Sequence, residues 1–144
     1  MQLSKDIAAV GRYLRRKRTA YMEAFGLKGL HAGFLRVVCE EPGISQDRLA
    51  QQVGVDKSNI ARQAAFLEEE GFLCREPSRS DKRVLCLRPT DKTLRLLPEL
   101  LAATQKWEQE LLEPLSEQEV QQLMQLLARL CAKAEQEGAD GKIG

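Results

Sequence analysis

The sequence predicts a mainly α fold that carries one small β-hairpin. Apolar residues recur at helical spacing in most of the chain. Aromatic residues make up only 5% of it. Short strand-like runs appear in one place alone, around residues 72–88, on either side of a polar turn. At 144 residues the chain has room for one domain of ordinary size, and 43% hydrophobic residues can bury a real core.

The elements follow in order. Ile7, Val10, Leu14, Tyr21 and Phe25 predict a first helix over residues 4–25, interrupted by the run Arg15-Arg16-Lys17-Arg18 and closed by Gly26. Leu30 to Glu41 reads as a second helix, stopped by Pro42-Gly43. Ser45 is an N-cap for a short third helix that carries Leu49, Ala50 and Val53 before Gly54. Asp56 caps a fourth, which runs through Ile60, Ala64 and Leu67 to Gly71. Phe72–Glu76 and Val84–Arg88 are the two strands, and the turn between them holds three cations. Thr90 is placed to cap a long helix from Asp91 to about Leu112, which Pro98 should bend or start late. Ser116-Glu117-Gln118-Glu119 is a capping box. It opens a last helix with Val120, Leu123, Leu127, Leu130 and Ala134 on one stripe. Residues 138–144 are expected to be a disordered tail.

Charge and cysteines exclude several classes. The net charge is +1, yet residues 1–30 carry seven basic and two acidic side chains, and residues 72–95 seven and three. Residues 31–71 and 96–144 lean acidic. Such a chain can present a basic face to a polyanion, although ordinary surface charge is the plainer reading. No apolar run approaches the length of a membrane span, and the first residues show no secretory pattern. Four cysteines without a Cys-x-x-Cys, and a single histidine, leave no zinc-site spacing. A reducing, cytoplasmic address fits best. No metal cluster, glycine-rich phosphate loop or nucleophile–histidine pair supports an enzyme, and no cofactor is expected.

The central unit is the informative part. Ala50, Gly54 and Ile60 have the spacing of a helix-turn-helix. A small residue lets two helices cross, a glycine takes the left-handed turn, and a branched apolar residue plugs the crossing. A hairpin with a cationic tip follows directly, which makes the unit a winged helix-turn-helix. The second helix would enter a major groove with Lys57, Ser58, Asn59, Arg62 and Gln63 at its leading end. Arg62 suits guanine O6/N7, and Asn59 or Gln63 suits adenine N6/N7. Lys57 and Ser58 suit phosphates. Arg79, Lys82 and Arg83 at the wing tip would reach an adjacent minor groove.

Residues from about 27 to 95 resemble the multiple antibiotic resistance regulator (MarR) family of winged-helix repressors, and the flanking helices match its dimerisation elements. The resemblance rests on Leu49-Ala50, Val55-Asp56-Lys57-Ser58-Asn59-Ile60, Leu67-Glu68-Glu69-Glu70-Gly71-Phe72 and, in the wing, Asp81-Lys82-Arg83. It implies that Arg83 inserts into the minor groove and that Asp81 orients it by a charge-assisted bond. It also implies a homodimer, a pseudo-palindromic operator in double-stranded DNA, and repression relieved by a small ligand. On this reading residues 1–137 are one domain. Dimerisation helices at about 4–25 and 91–136 flank a winged helix-turn-helix at about 30–89. Departures from the family are Pro89 for a leucine, Thr93 for a glycine, Gln63 for an apolar residue, Phe66 for a frequently basic one and His31 for a common glutamine.

An apolar stripe on the first and last two helices has no partner inside so small a domain, and a second copy would bury it. By position, Tyr13, Tyr21, His31, Arg12 and Arg16 are candidates to meet a small phenolic or anionic effector. His31 at a helix start is more often a satisfied surface or second-layer histidine than a ligand contact, and a run such as Arg15–Arg18 is usually a solvated face, less often a phosphate or anion site. Cys39 and Cys131 fall on apolar helix faces, where an inert buried thiol is expected. Cys74 and Cys86 would face each other if the hairpin centres near residue 80, giving a candidate redox pair that one residue of slip removes. The alternative to a DNA-binding regulator is a winged-helix module for protein or RNA contacts, which would bind every duplex equally.

Overall fold

A computed structural model describes residues 2–140. The chain divides into two compact units, Met1–Gln105 and Lys106–Gly144. The first holds α1 (Leu3–Glu23), α2 (Gly29–Glu40), β1 (Ile44–Ser45), α3 (Gln46–Val53), α4 (Lys57–Glu69), β2 (Leu73–Pro77) and β3 (Leu85–Pro89). It also holds most of α5 (Asp91–Leu111), and the second unit holds α6 (Glu117–Asp140). The order of helices around one hairpin is the one the sequence predicts.

The core of the first unit is built from the periodic positions. Leu35, Val38, Ile44, Leu49, Ile60, Leu67, Phe72, Leu73 and Leu87 are each at most 3% exposed. They come from six elements and the α4–β2 connection, so burying them fixes how α2, α3, α4 and the sheet meet. Local chemistry shapes the helix-turn-helix within that frame. The Ser45 hydroxyl accepts from the Arg48 amide at 3.1 Å and opens α3. Gly54 ends it at φ 72°, its N–H returning to the Ala50 carbonyl. Asp56 opens α4 by accepting from the Asn59 amide at 2.8 Å. Where α1 meets α2, a Cβ on Gly29 would lie 2.6 Å from Thr19 Oγ1, so a larger residue there would force the Thr19 side chain aside.

The hairpin differs from expectation in two ways. A third strand exists: β1 pairs with β3, Ile44 opposite Leu87 and Ser45 opposite Cys86, in the order β1-β3-β2. Two residues are too few to show a period, and Ser45 already reads as a cap. Both long strands also start one residue later than expected, and their register centres on residue 81. The amide of Val84 donates to the Asp81 carbonyl and that of Ser78 to the Val84 carbonyl, so residues 81–84 close the turn on themselves. Cys74 therefore faces Arg88, and Cys86 faces Glu76. The two cysteines are diagonal neighbours, about 7–8 Å apart in such a ladder and beyond disulfide range. All four thiols are free, and Cys131, expected to be buried, is exposed.

Beyond the hairpin, α5 begins at Asp91 and runs through Pro98 without a delayed start. Thr90 stands at the cap position, its carbonyl accepting from the Leu94 amide at 3.0 Å, but its side chain does not cap the helix. Its hydroxyl donates to the Gly71 carbonyl at 2.6 Å instead. In the second unit the capping box is formed. The Glu119 amide donates to Ser116 Oγ at 3.2 Å, and the Ser116 amide to Glu119 Oε1 at 2.9 Å. The last helix reaches Asp140, so residues 138–140 are helical rather than disordered, and 141–144 lie outside the described residues. Among the described residues α6 buries no side chain, and Met124, Leu126, Leu127 and Leu130 stand exposed.

Candidate nucleic-acid interface

The leading end of α4 is organised around Asp56. Its Oδ1 accepts from the Asn59 amide and from Ser58 Oγ, each at 2.8 Å. Those two bonds, the backbone one first, hold the carboxyl below the usual carboxylate range. Ser58 is thus engaged inside the turn. Lys57 Nζ lies 3.6 Å from Asp47 Oδ2, a loose surface pair. Arg62 is exposed and takes part in no ion pair among the described residues.

Gln63 is placed differently from its assignment as a base-reading residue. Its Oε1 meets His31 Nε2 at 2.7 Å, and its Nε2 donates to Asn59 Oδ1 at 3.2 Å. His31 is fully buried. Its Nδ1 accepts from the Lys28 amide at 3.0 Å, its ring stacks on Phe66 at 5.3 Å, and it meets the edge of Phe34 at 6.2 Å. Burial holds the imidazole below its ordinary pKa, with the Gln63 bond opposing and the Lys28 charge adding. His31 therefore belongs to the packing between α2 and α4, and cannot meet an effector from within it. The two residues are 32 apart in the sequence, and the only signal was that both depart from the family pattern.

The far end of α4 is also tied down. Thr90, Lys92 and Thr93 bond to the carbonyls of Gly71, Glu70 and Phe72 respectively. Thr93 is fully buried, and the Lys92 ammonium sits 4.3 Å over the Phe72 ring. Lys92 thus satisfies the carbonyl of the helix cap, Glu70, and the two threonines those of the residues that follow it. Glu68 binds both the amide and the guanidinium of Arg75, at 2.9 and 3.1 Å, and Arg75 also reaches Gln46 at 3.4 Å. The helix, β2 and α3 are joined by that one arginine. Neither cluster was found in the sequence, because a threonine or arginine gives no sign of partners that lie from 7 to 29 residues away.

The turn of the hairpin carries Arg79, Asp81, Lys82 and Arg83. Arg83 Nε and Nη2 donate to the two oxygens of Asp81 at 3.2 and 3.4 Å, and its amide donates to Oδ1 at 3.0 Å. The guanidinium bond first, then the amide, holds Asp81 below the usual carboxylate range. The charge-assisted pair expected from the family resemblance is therefore present. The Arg83 side chain nevertheless remains 91% exposed. Arg79 and Lys82 are exposed beside it.

The remaining effector candidates scatter along α1. Arg16 lines an open depression of about 290 Å³ with Arg15, Thr19, Ala20 and Glu23. Tyr13 lies under Lys17 Nζ at 5.6 Å, and Arg12 is exposed. Tyr21 packs on Phe25 at 5.6 Å, and burial, then the Glu99 charge, raises its phenol pKa. A second depression, of about 280 Å³, joins Phe25, Phe72, Lys92, Arg95, Leu96 and Glu99. Its apolar floor and two cations were not singled out in the sequence.

Known proteins place these features in context. A MarR family model matches residues 25–84. A Thauera aromatica protein whose name assigns it the transcriptional regulation of the hcr operon is 33% identical over 130 residues, 84% of this chain and 78% of its own length. A crystal structure of MarR superposes with a TM-score of 0.89 at 28% identity, covering 97% of this chain and 95% of that one. A Listeria monocytogenes protein assigned to the MarR regulators, solved with a 26mer DNA, has the same fold at 22% identity and a TM-score of 0.80. That match covers 97% of this chain and 93% of the other.

Proposed function

This chain belongs to the MarR family of transcriptional regulators, and from that premise we propose that it works as a homodimeric, sequence-specific DNA-binding repressor released by a small ligand. The family comprises regulators rather than enzymes. The observation that carries the proposal is Arg83. A guanidinium 91% exposed, yet steered by a neighbouring carboxylate, is suited to enter a narrow groove as a pre-aimed cation. Arg79 and Lys82 would add phosphate contacts. Lys57 and Arg62 at the start of α4 would face the major groove, Arg62 reading guanine. The protein of this fold bound to a 26mer duplex supports DNA as the partner.

Two further parts of the proposal rest on surfaces. Leu3, Ile7 and Val10 of α1 and the leucines of α6 are exposed, an apolar excess that a two-fold dimer would bury. The depression lined by Phe25, Phe72, Lys92, Arg95, Leu96 and Glu99 offers a small aromatic ligand an apolar floor, with two cations set against one carboxylate.

Selection of fragments from a random duplex library, followed by titration of the winners against salt, tests the reading. A two-fold consensus with half-sites about 10 bp apart, and a log–log slope steeper than about −5, is expected. Weak binding to every duplex would instead assign the wing to a protein or RNA partner.

A further inference from the structure

We propose that His31 is a positioning residue for base reading. Through Gln63 it fixes the side-chain amide of Asn59, so that Asn59 meets the duplex as a hydrogen-bond donor and selects a keto base, guanine or thymine, at one position of each half-site. The inference rests on the DNA-binding reading above and adds to it a specific rule.

The argument is one of hydrogen-bond polarity. A backbone N–H can only donate, so the Lys28 amide at 3.0 Å obliges His31 Nδ1 to accept and to carry no proton. The neutral ring then bears its proton on Nε2. That proton goes to Gln63 Oε1 at 2.7 Å. The oxygen end of the Gln63 amide is therefore committed to the histidine, and its amino end is the one that reaches Asn59 Oδ1 at 3.2 Å. Polarity fixed at a peptide bond of the α1–α2 connection is passed along three side chains to the leading end of α4.

Several features prevent the chain from reversing. His31 is fully buried between Phe66 and Phe34, so no solvent offers its nitrogens another partner. Burial disfavours the doubly protonated ring, which would set two N–H groups against each other at Lys28. Asn59 Nδ2 takes part in no hydrogen bond among the described residues, the other polar groups of this residue being bonded to Asp56 and Gln63. An asparagine free to turn can meet the N6/N7 edge of adenine, as the sequence alone suggests. Here the oxygen is turned toward Gln63 and already accepts one bond, so the unengaged amino group is the end left facing outward. Guanine presents acceptors at both O6 and N7 and thymine at O4, whereas cytosine presents its N4 donor and adenine sets its N6 donor beside N7, its one acceptor, so an amino group meets an opposing donor at either amino base.

Fragment selection with four proteins tests this: the wild type, Asn59→Ala, Gln63→Leu and Gln63→Glu, each checked for folding by thermal unfolding. Asn59→Ala flattens one position per half-site and so identifies the base pair that Asn59 reads. At that position the wild type is expected to prefer a keto over an amino base by about tenfold or more. Gln63→Leu should reduce the preference below about threefold while leaving the other positions unchanged. Gln63→Glu accepts from both His31 and the Asn59 amino group. It turns the asparagine oxygen outward, and the preference should invert toward adenine or cytosine.

An amino base at the Asn59 position of the wild type overturns the relay, and that measurement needs no folded Gln63 variant. A consensus indifferent to both Gln63 variants, or weakened equally at every position, overturns it too and reduces His31 and Gln63 to packing. A wild type that selects no consensus overturns the DNA-reading proposal itself, a result separate from the other two.

Discussion

Asn59 reaches its position through three side-chain bonds that end on a backbone amide beside a buried histidine, whereas Arg83 leans on a carboxylate two residues away and stands 91% exposed. The recognition helix is held from the inside. Its apolar face packs through Ile60, Ala64 and Leu67, and the residues just past its end, 70–72, are bonded to Thr90, Lys92 and Thr93. Among the described residues the wing tip is hydrogen-bonded within the hairpin alone, through Ser78, Ser80, Asp81, Arg83 and Val84. A side chain that must distinguish bases needs its atoms fixed, and a buried network supplies that. A cation that must enter a groove of variable width needs only direction, and one local carboxylate supplies it.

That contrast predicts a separation of effects. Ile60→Ala, which empties a site 1% exposed in the core, should cost about 2–5 kcal/mol of stability in denaturant unfolding. Arg83→Ala should leave the unfolding curve in place yet weaken binding to every duplex, with the salt slope reduced by about one per subunit of the dimer. If it unfolds the protein, the wing is not the autonomous element described here. Arg62→Ala should lose about 1–3 kcal/mol of discrimination at one position per half-site, visible as a flattened column in a selected consensus. Asp81→Asn keeps the cation and removes its guide, so its loss of affinity should fall between the wild type and Arg83→Ala. Equal affinities for the two variants would mean that the aspartate is essential rather than directive.

The smallest effect separates the regions by pH. His31 has a lowered pKa in the folded chain, so the unfolded chain binds the proton more readily. Stability should be complete above about pH 6.5 and decline as the pH falls below it, and His31→Gln should remove that decline. Asp56 and Asp81 are also lowered, but they are carboxylates. Their contributions persist above about pH 4 and disappear as the pH falls further. Unfolding curves followed between pH 7 and pH 5 therefore report on the helix interior, and the wing stays silent in that window.

Much of this was legible because it is local. Ser45, Gly54, Asp56 and the Ser116–Glu119 box act on backbone within three or four residues, and each does what its spacing indicates. Apolar periodicity located the helices for the same reason. What escaped depends on partners far along the chain. The β1 strand is two residues long, and its pairing is visible only once β3 lies beside it. Thr90 has a hydroxyl that caps by accepting or clamps by donating, and the nearby Gly71 carbonyl decides for the second. The hairpin register turned on where residues 81–84 close, a difference of one residue that separated Cys74 from Cys86. Gln63 reads as a surface polar residue until His31 is placed against it.

The bonds from Thr90, Lys92 and Thr93 to the carbonyls of residues 70–72 have a mechanical consequence. With the first turn of α5 fastened to the exit of α4, the two helices share a rigid joint rather than a slack loop. A torque on α5 is then delivered to α4 with nothing between them to absorb it. Any hinge that lets the reading helix swing has to lie beyond the joint, toward the α1–α2 connection or farther along α5. The depression at Lys92 and Arg95 borders this joint, so a molecule lodged there would press on the short arm of a lever whose long arm is the recognition helix.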